Sequence, residues 1–277
     1  MKKERKIAKI ITGQPAVDGA GVHLTRVLNN MTVNDFDPFL MLDSFDSGNP
    51  NEYLKGFPWH PHRGIETVTY LRSGKMEHQD SLGNKGLISD NQAQWMSASS
   101  GILPQATEHL LGFQLWINLP SDKKMDKPKY NDLDPAPYKD EDMNVEVISG
   151  EYKGVKGFNP DYVKATILIV DLKPNAIFEY DVPEEDTLFV FTLQNGLIID
   201  NQEVSEKRAV LLTNGNHINL KANQEGCLFA LFTGKPLKQP IAWGGPIVMN
   251  TREELNQAFI DLENNEFILE DASYVTD

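Results

Sequence analysis

The amino-acid sequence predicts an all-β protein: two antiparallel β-sandwich or jelly-roll units in succession, closed by one C-terminal helix. Three observations carry this. Short runs alternate apolar and polar residues with a period of two, and turn residues recur between them. These signals pause once, in a Pro-rich, mixed-charge stretch, and then resume. Helical periodicity appears only near the end, behind a capping sequence.

The elements follow in order. Ile7 to Ile11 and Val22 to Leu28 read as strands, with Asp18, Gly19 and Gly21 supplying the turn. Phe39 to Leu42 is an apolar run bracketed by Asp37 and Asp43, short enough for a buried strand. A loop from Ser47 to Gly56 precedes Phe57 to Leu71, FPWHPHRGIETVTYL, read as a strand that alternates from Ile65 onward. Lys75 to Gln79 is expected to pair back on it as a hairpin, and Leu82 to Gly86 to turn. Gln94 to Ala98 and Gly112 to Leu119, the latter with alternating Phe113, Leu115 and Ile117, complete a first unit, 1–129. Residues 130–141, at the end of a stretch rich in Pro and charge, read as a linker. The second unit, 142–277, carries strand signals from Val145 to Phe232. Asn195-Gly196 is expected to be a hairpin turn, since both residues tolerate positive φ. Thr251 and Glu254 form a capping box ahead of Leu255, Ala258, Phe259 and Leu262, a stripe expected to pack on a sheet. The last residues, Asp271 to Asp277, are expected to fray.

Composition excludes several functions. The chain of 277 residues carries 26 Lys and Arg against 40 Asp and Glu, a net charge of -14, which argues against binding nucleic acid through phosphate contacts. The single cysteine, Cys227, lies in an apolar run and cannot form an internal disulfide, which fits a reducing compartment. Neither a signal-peptide core nor a membrane-spanning run is present, so a cytoplasmic protein without membrane contacts is expected.

The stretch that carries chemistry is His60-Pro61-His62. On a strand, residues two apart share a face, so both imidazoles can reach one metal ion, and Glu66, an even step further, is expected to join them. The spacing His-x-His-x3-Glu-x7-Gly, ending at Gly74, resembles the first metal-binding motif of cupins.

More of the chain resembles one family, the pirins, which are two-domain cupins. The matching stretches are Asp37 to Leu40, His60 to Leu71, His78 to Asn84, Gln94 to Met96, Gly101-Ile102, Gly112 to Leu119, Gly234 to Leu237 and Gly245 to Thr251. The resemblance implies a bicupin with one metal, usually iron, in the N-terminal domain. Some bacterial pirins are flavonol dioxygenases acting on quercetin, and some eukaryotic ones are described as redox-sensing transcriptional co-regulators. The family holds its metal with the two histidines of HPH and a later His and Glu. Here those later positions fall on Pro104 and Ala106, which have no donor atom. His60 and His62 carry over; the other two ligands do not.

Two imidazoles grip a divalent metal weakly. Three substitutes suggest themselves: Glu66, which would complete a two-His, one-carboxylate set; Glu108 or His109, just past the lost pair; and His78 on the next strand. In the alternative, Glu66 orients a histidine, Glu108 and His109 are surface residues, and His78 is a polar strand residue; His78 and Trp95 are the candidates to line the pocket. Trp59 and Trp116 read as core or pocket wall, and His23 and His217 as structural or exposed. The favoured expectation is a pirin-like protein with weak or lost binding of iron or another divalent metal and a binding or regulatory role. The alternative is an iron-dependent, quercetin 2,3-dioxygenase-like oxygenase. A small aromatic ligand suits either.

Overall fold

The computed structural model describes residues 2–60, 62–80, 85–96, 100–104, 107–127 and 129–267; of 58, 59, 79, 80 and 100–104 it describes the backbone alone. The expected turn at Leu82 to Gly86 lies outside these residues at 82–84, as do Ala106 and the C-terminal stretch 271–277.

Two compact units emerge, and neither is a continuous stretch of chain. One comprises Met1–Gln14, Thr25–Ser44 and Asp134–Leu237; the other comprises Pro15–Leu24, Phe45–Leu133 and Lys238–Asp277. The sequence division at 130–141 differs from this. Its expected linker contributes two strands, Tyr130–Leu133 and Ala136–Lys139, one to each unit.

In the first unit, a seven-stranded sheet runs in the order Ile7–Thr12, Arg208–Leu212, Thr187–Gln194, Cys227–Gly234, Thr166–Leu172, Met143–Ser149, Ala136–Lys139. A four-stranded sheet, Ile177–Asp181, His217–Ala222, Leu197–Ile199, Gln202–Val204, forms the second layer. Alternate residues of the large sheet, among them Leu168, Val170, Val190, Phe229 and Leu231, pack with Phe178, Ile218 and Leu220 of the small one in a single core. The other face of the large sheet is apolar too: Phe189 and Phe232 stack at 4.6 Å between ring centroids, and Phe36 and Phe39 meet Phe189 edge-on. This second covered face explains why Thr187–Gln194 is buried along six consecutive residues.

Asn195-Gly196 does not close the expected hairpin. The strands on either side of it belong to different sheets, and Asn195, at φ 61°, carries the chain from one to the other. The tight hairpin lies just beyond, where Asp200 and Asn201, both at positive φ, join Leu197–Ile199 to Gln202–Val204.

The second unit has the same two layers. Its large sheet runs Tyr130–Leu133, Gln92–Met96, Ile65–Ser73, Leu110–Asn118, then residues 45–47 of the strand Phe39–Ser47, residues 22–24 of Val22–Leu28 and residues 15–18 of Gln14–Asp18. Its four-stranded sheet runs Phe57–His60, Ser100–Pro104, Met76–Asp80, Lys85–Ile88. Met76–Asp80 therefore does not pair back on Ile65–Ser73; it pairs with Ser100–Pro104 and Lys85–Ile88 in the opposite layer. The reason lies at Gly74, φ 110°: an added Cβ would come within 2.8 Å of Leu110 Cδ1, so the chain leaves the sheet where only glycine fits. Leu71 and Leu110 from the large sheet and Met76 and Ile88 from the small one share one core cluster, which fixes the faces that look into the sandwich.

The C-terminal helix Arg252–Glu263 starts as expected: the Glu254 N–H donates to Thr251 Oγ1 at 3.1 Å and the Thr251 N–H to Glu254 Oε2 at 3.0 Å. Its stripe packs on the hairpin Ala242–Gly244/Ile247–Met249 and on Phe267; Ala258 is fully buried, whereas Phe259 remains partly exposed. Among the described residues, no helix is long and apolar enough to cross a membrane.

Candidate functional site

His60 and His62 do not share a strand. His60 ends Phe57–His60 in the small sheet, His62 lies in the connector, and Ile65–Ser73 begins after it in the large sheet. Gly64, at φ 80°, breaks the strand; a Cβ there would lie 1.9 Å from the Val248 carbonyl oxygen. The two rings nevertheless meet, with centroids 4.6 Å apart at 72°. His62 also packs edge-on against Trp116 at 5.2 Å.

The connector bearing His62 is clamped by the C-terminal segment and by Lys124. The Val248 N–H donates to the Arg63 carbonyl at 2.9 Å, and the Arg63 guanidinium donates to Asp261 Oδ2 and to the Phe267 carbonyl while lying 3.9 Å over the Phe267 ring. The partnership with Arg63 holds the Asp261 carboxyl below its ordinary range. The Gly64 carbonyl accepts from the buried Lys124 ammonium at 3.0 Å, which also donates to Asn118 Oδ1 and the Val248 carbonyl. Sequence reasoning missed this clamp because its parts lie up to 204 positions apart.

His62 is buried, and neither ring nitrogen has a hydrogen-bond partner among the described residues. Burial, and secondarily His60, push its pKa well below the ordinary imidazole value, so the ring is neutral and its lone pair free to bind.

Glu66 takes the other side of the large sheet. It pairs with Ile117, whereas Thr67 pairs with Trp116, the ring that His62 touches. Paired residues share a face and neighbours alternate, so Glu66 points away from the His62–Trp116 contact. The expectation of a common face assumed one unbroken strand from His60 to Glu66, which the connector interrupts. Trp95 pairs with Val68 and likewise lies on the face opposite Thr67. Glu108 is exposed, and His109 pairs with Asp46 at 2.6 Å. His23 is exposed, and His217 is buried in the other unit, bonded to Asp181. The backbone of Pro104 pairs with Met76; its side chain and Ala106 lie outside the described residues.

His78 does look into the sandwich. It follows the core residue Met76 by two on its strand, so it shares that face. Its Nε2 lies 3.3 Å from Asp132 Oδ1, and its ring lies 5.1 Å from that of Tyr130, whose hydroxyl donates to Asp132 at 2.9 Å. Gly86 makes room for this group, since a Cβ there would fall 2.3 Å from the Tyr130 hydroxyl and 2.4 Å from His78 Nε2. On the opposite wall, the register aligns Asp132, Gln94, Thr69 and Gln114 in one row, and Tyr130, Met96, Thr67 and Trp116 in the next. Thr67, Thr69 and Gln94 are all buried. The signal for this polar wall was present in the alternation of Thr67, Thr69 and Gln114 with apolar residues.

Chemically, the His60–His62 pair fits half of the metal set that the resemblance implies. Among the described residues, no three His, Cys, Asp or Glu side chains are placed to hold one ion. Pro104 and Ala106 are residue types without donor atoms. The implied metal site is therefore not completed by the residues described.

Two antiparallel sandwiches, one of them carrying a pair of histidines in ring contact, define a bicupin. Family models agree: one described as pirin matches residues 21–117, and one described as the pirin C-terminal cupin domain matches 167–268. The chain belongs to the pirin family. It is 38% identical over 274 residues to a pirin-like protein of Caulobacter vibrioides, covering 95% of this chain and 99% of that protein. It is 35% identical to pirin of Homo sapiens, covering 95% of this chain and 94% of that protein. Among solved structures, a quercetin 2,3-dioxygenase from Acinetobacter baumannii superposes with a TM-score of 0.86 at 26% identity, covering 96% of this chain and 99% of that one.

Proposed function

We propose that this pirin-family bicupin is a binding or regulatory protein whose N-terminal sandwich retains a histidine pair but has lost the means to hold a catalytic metal. The observation that carries the reading is the chemistry of the donor set: His60 and His62 remain, while Pro104 and Ala106 replace a histidine and a glutamate with groups that cannot coordinate. The face taken by Glu66 supports it, since this substitute carboxylate lies on the face of the sheet opposite Trp116, the ring that His62 touches. A metal bound in such a site would supply Lewis-acid or redox chemistry. The chain's own residues do the rest: they hold the connector of His62 in place, line the sandwich with hydroxyl and amide groups, and present Trp116 as an aromatic wall.

Anaerobic titration with iron(II) tests this, the parent beside the double variant Pro104→His/Ala106→Glu. The parent should bind weakly and release its metal on dialysis against a chelator. The double variant should bind at least tenfold more tightly, since each added ligand acts on the same ion. Stoichiometric iron in the dialysed parent would overturn the proposal.

A second reading, an oxygenase acting on a flavonol such as quercetin, is favoured by the superposition on the Acinetobacter baumannii quercetin 2,3-dioxygenase. It requires turnover of quercetin by the metal-loaded parent that His60→Ala abolishes. The expected outcome is no such turnover.

A further inference from the structure

We propose that Asn214 is a site of spontaneous deamidation, and that the isoaspartate formed there loosens the N-terminal strand of the first unit. This is the unit that does not carry the histidine pair, so the proposal does not depend on the metal reading.

The chain contains two Asn-Gly dipeptides, Asn195-Gly196 and Asn214-Gly215, both in this unit. In such a pair the backbone nitrogen of the glycine can attack the asparagine side chain, because no Cβ blocks its approach. Structure accounts for the first asparagine. It holds φ at 61°, a left-handed value that asparagine tolerates, and its Nδ2 reaches the Glu225 carbonyl at 3.5 Å. Structure does not account for the second. Asn214 is exposed and is not among the residues at positive φ, and its side chain has no hydrogen-bond partner among the described residues. Its neighbour, by contrast, is fixed. A Cβ on Gly215 would lie 2.6 Å from the Lys3 carbonyl oxygen and 2.9 Å from Arg5 Cγ, so packing demands glycine. The Gly215 N–H, the attacking group, likewise has no partner among the described residues. Nothing therefore holds the Asn214 amide away from the nitrogen that attacks it.

The step balances with water alone. The Gly215 nitrogen gives its proton to hydroxide and bonds to Asn214 Cγ; the Cγ–Nδ2 bond breaks and ammonia leaves. Water then opens the succinimide. Cleavage of the new Cγ–N bond gives aspartate. Cleavage of the original peptide bond gives isoaspartate, whose main chain runs through Cβ and Cγ and is longer by an atom. Water is consumed, ammonia is released, and nothing is oxidised or reduced.

The extra atom falls in the socket of the N-terminal segment. The Thr213 N–H donates to the Lys6 carbonyl at 2.8 Å, and Thr213 Oγ1 accepts from the Lys6 N–H at 2.9 Å. The Gly215 carbonyl accepts from Arg5 Nε at 2.8 Å. The Asn216 N–H donates to the Lys3 carbonyl at 2.9 Å, and Asn216 Oδ1 accepts from the Lys3 N–H at 2.7 Å. Asn214 stands between the anchor at Thr213 and those at Gly215 and Asn216. A longer backbone there cannot keep all of them in register with residues 3–6.

The test ages the full-length protein in mildly alkaline buffer, with a urea-unfolded sample beside it. Electron-transfer dissociation of the digest locates isoaspartate, and isoaspartyl methyltransferase labelling measures its total. Isoaspartate should appear at 214 before 195. Asn214→Gln, whose longer side chain cyclises poorly, should lose most of the label. Amide exchange across residues 3–12 should be about tenfold faster in the aged parent than in the fresh one, the equivalent of a net hydrogen bond lost. Aged Asn214→Gln should exchange at the fresh rate. Fresh Asn214→Asp, which has the new charge on a normal backbone, should do the same. Isoaspartate at 195 alone overturns the proposal, as does an Asn214 that stays intact while the unfolded chain deamidates there. Unchanged exchange at 3–12 in protein modified at 214 overturns it too. Fresh Asn214→Asp loosened as much as the aged parent would show charge, not backbone length, to be the cause, and would overturn the isoaspartate route.

Discussion

Lys124 places an ammonium where water hardly reaches it. It is 4% exposed, and its three donors meet three neutral oxygens: the carbonyls of Gly64 and Val248 and the side-chain oxygen of Asn118. Burial lowers its pKa from the ordinary 10.5 to about 8, with Glu254 acting in the opposite sense. Between those values the unfolded chain holds a proton that the folded chain has released. Stability therefore rises as pH climbs from about 8 toward 10.5, and the lysine costs most below 8, where it is charged in both states. The full gap corresponds to roughly 3 kcal/mol. Urea midpoints measured at pH 7.5, 9 and 10 should rise in the parent relative to Lys124→Met, in which this group no longer titrates. A parent and variant with parallel profiles would show the ammonium to be better solvated than its surroundings indicate. Cys227 illustrates the same physics without a functional role: burial, then Asp171, pushes its thiol up to about 12, so it is inert at neutral pH.

At the scale of elements, the local signals were legible and the pairings were not. The alternation in Gly112 to Leu119 marked a strand, and the register confirms it, with Phe113, Leu115 and Ile117 on one face and Gln114, Trp116 and Asn118 on the other. The capping box at Thr251 was legible because it is chemistry between residues three apart. Partner choice is non-local. Nothing near Met76–Asp80 or Asn195-Gly196 states that the next strand lies in the opposite layer, and two glycine and asparagine positions with positive φ decide it. The candidate site suffered in the same way: the histidine pair was readable, but its separation from Glu66 by a connector was not. The helix itself is testable. Thr251→Ala removes one acceptor from the first turn and should lower stability by about 1 kcal/mol, whereas Thr251→Ser should be nearly neutral. Because Asp261 of this helix holds Arg63, next to His62, hydrogen exchange in Thr251→Ala should quicken both at 252–263 and around 62–64. Exchange confined to the helix would show that the clamp on the connector is held by Lys124 and Val248 alone.

Across the whole chain, each compact unit borrows its closing element from the far end of the sequence. Ile7–Thr12 pairs with Arg208–Leu212 as an edge strand of the sheet otherwise built from 136–234, and Ile7 and Ile10 pack on that core. Arg5 is buried beside it, donating to the carbonyls of Gly215, Pro183 and Glu184. In the other unit, residues 238–267 supply the hairpin and helix that hold the connector of His62. A sequence reader who cuts the chain in the middle therefore assigns both termini to the wrong partners by proximity, because covalent neighbourhood says nothing about a pairing about 200 positions away. The consequence can be measured. Deleting residues 2–12 uncovers the edge strand Arg208–Leu212 and removes Ile7 and Ile10 from the core they pack on. Several apolar side chains and a ladder of hydrogen bonds are lost together, so the loss of stability should be about 3 kcal/mol or more. Limited proteolysis read by mass spectrometry should then show early cuts within 134–237 while 45–127 stays protected. Equal cleavage of both regions would mean that the two units unfold as one, and that the terminal strand stabilises the molecule as a whole.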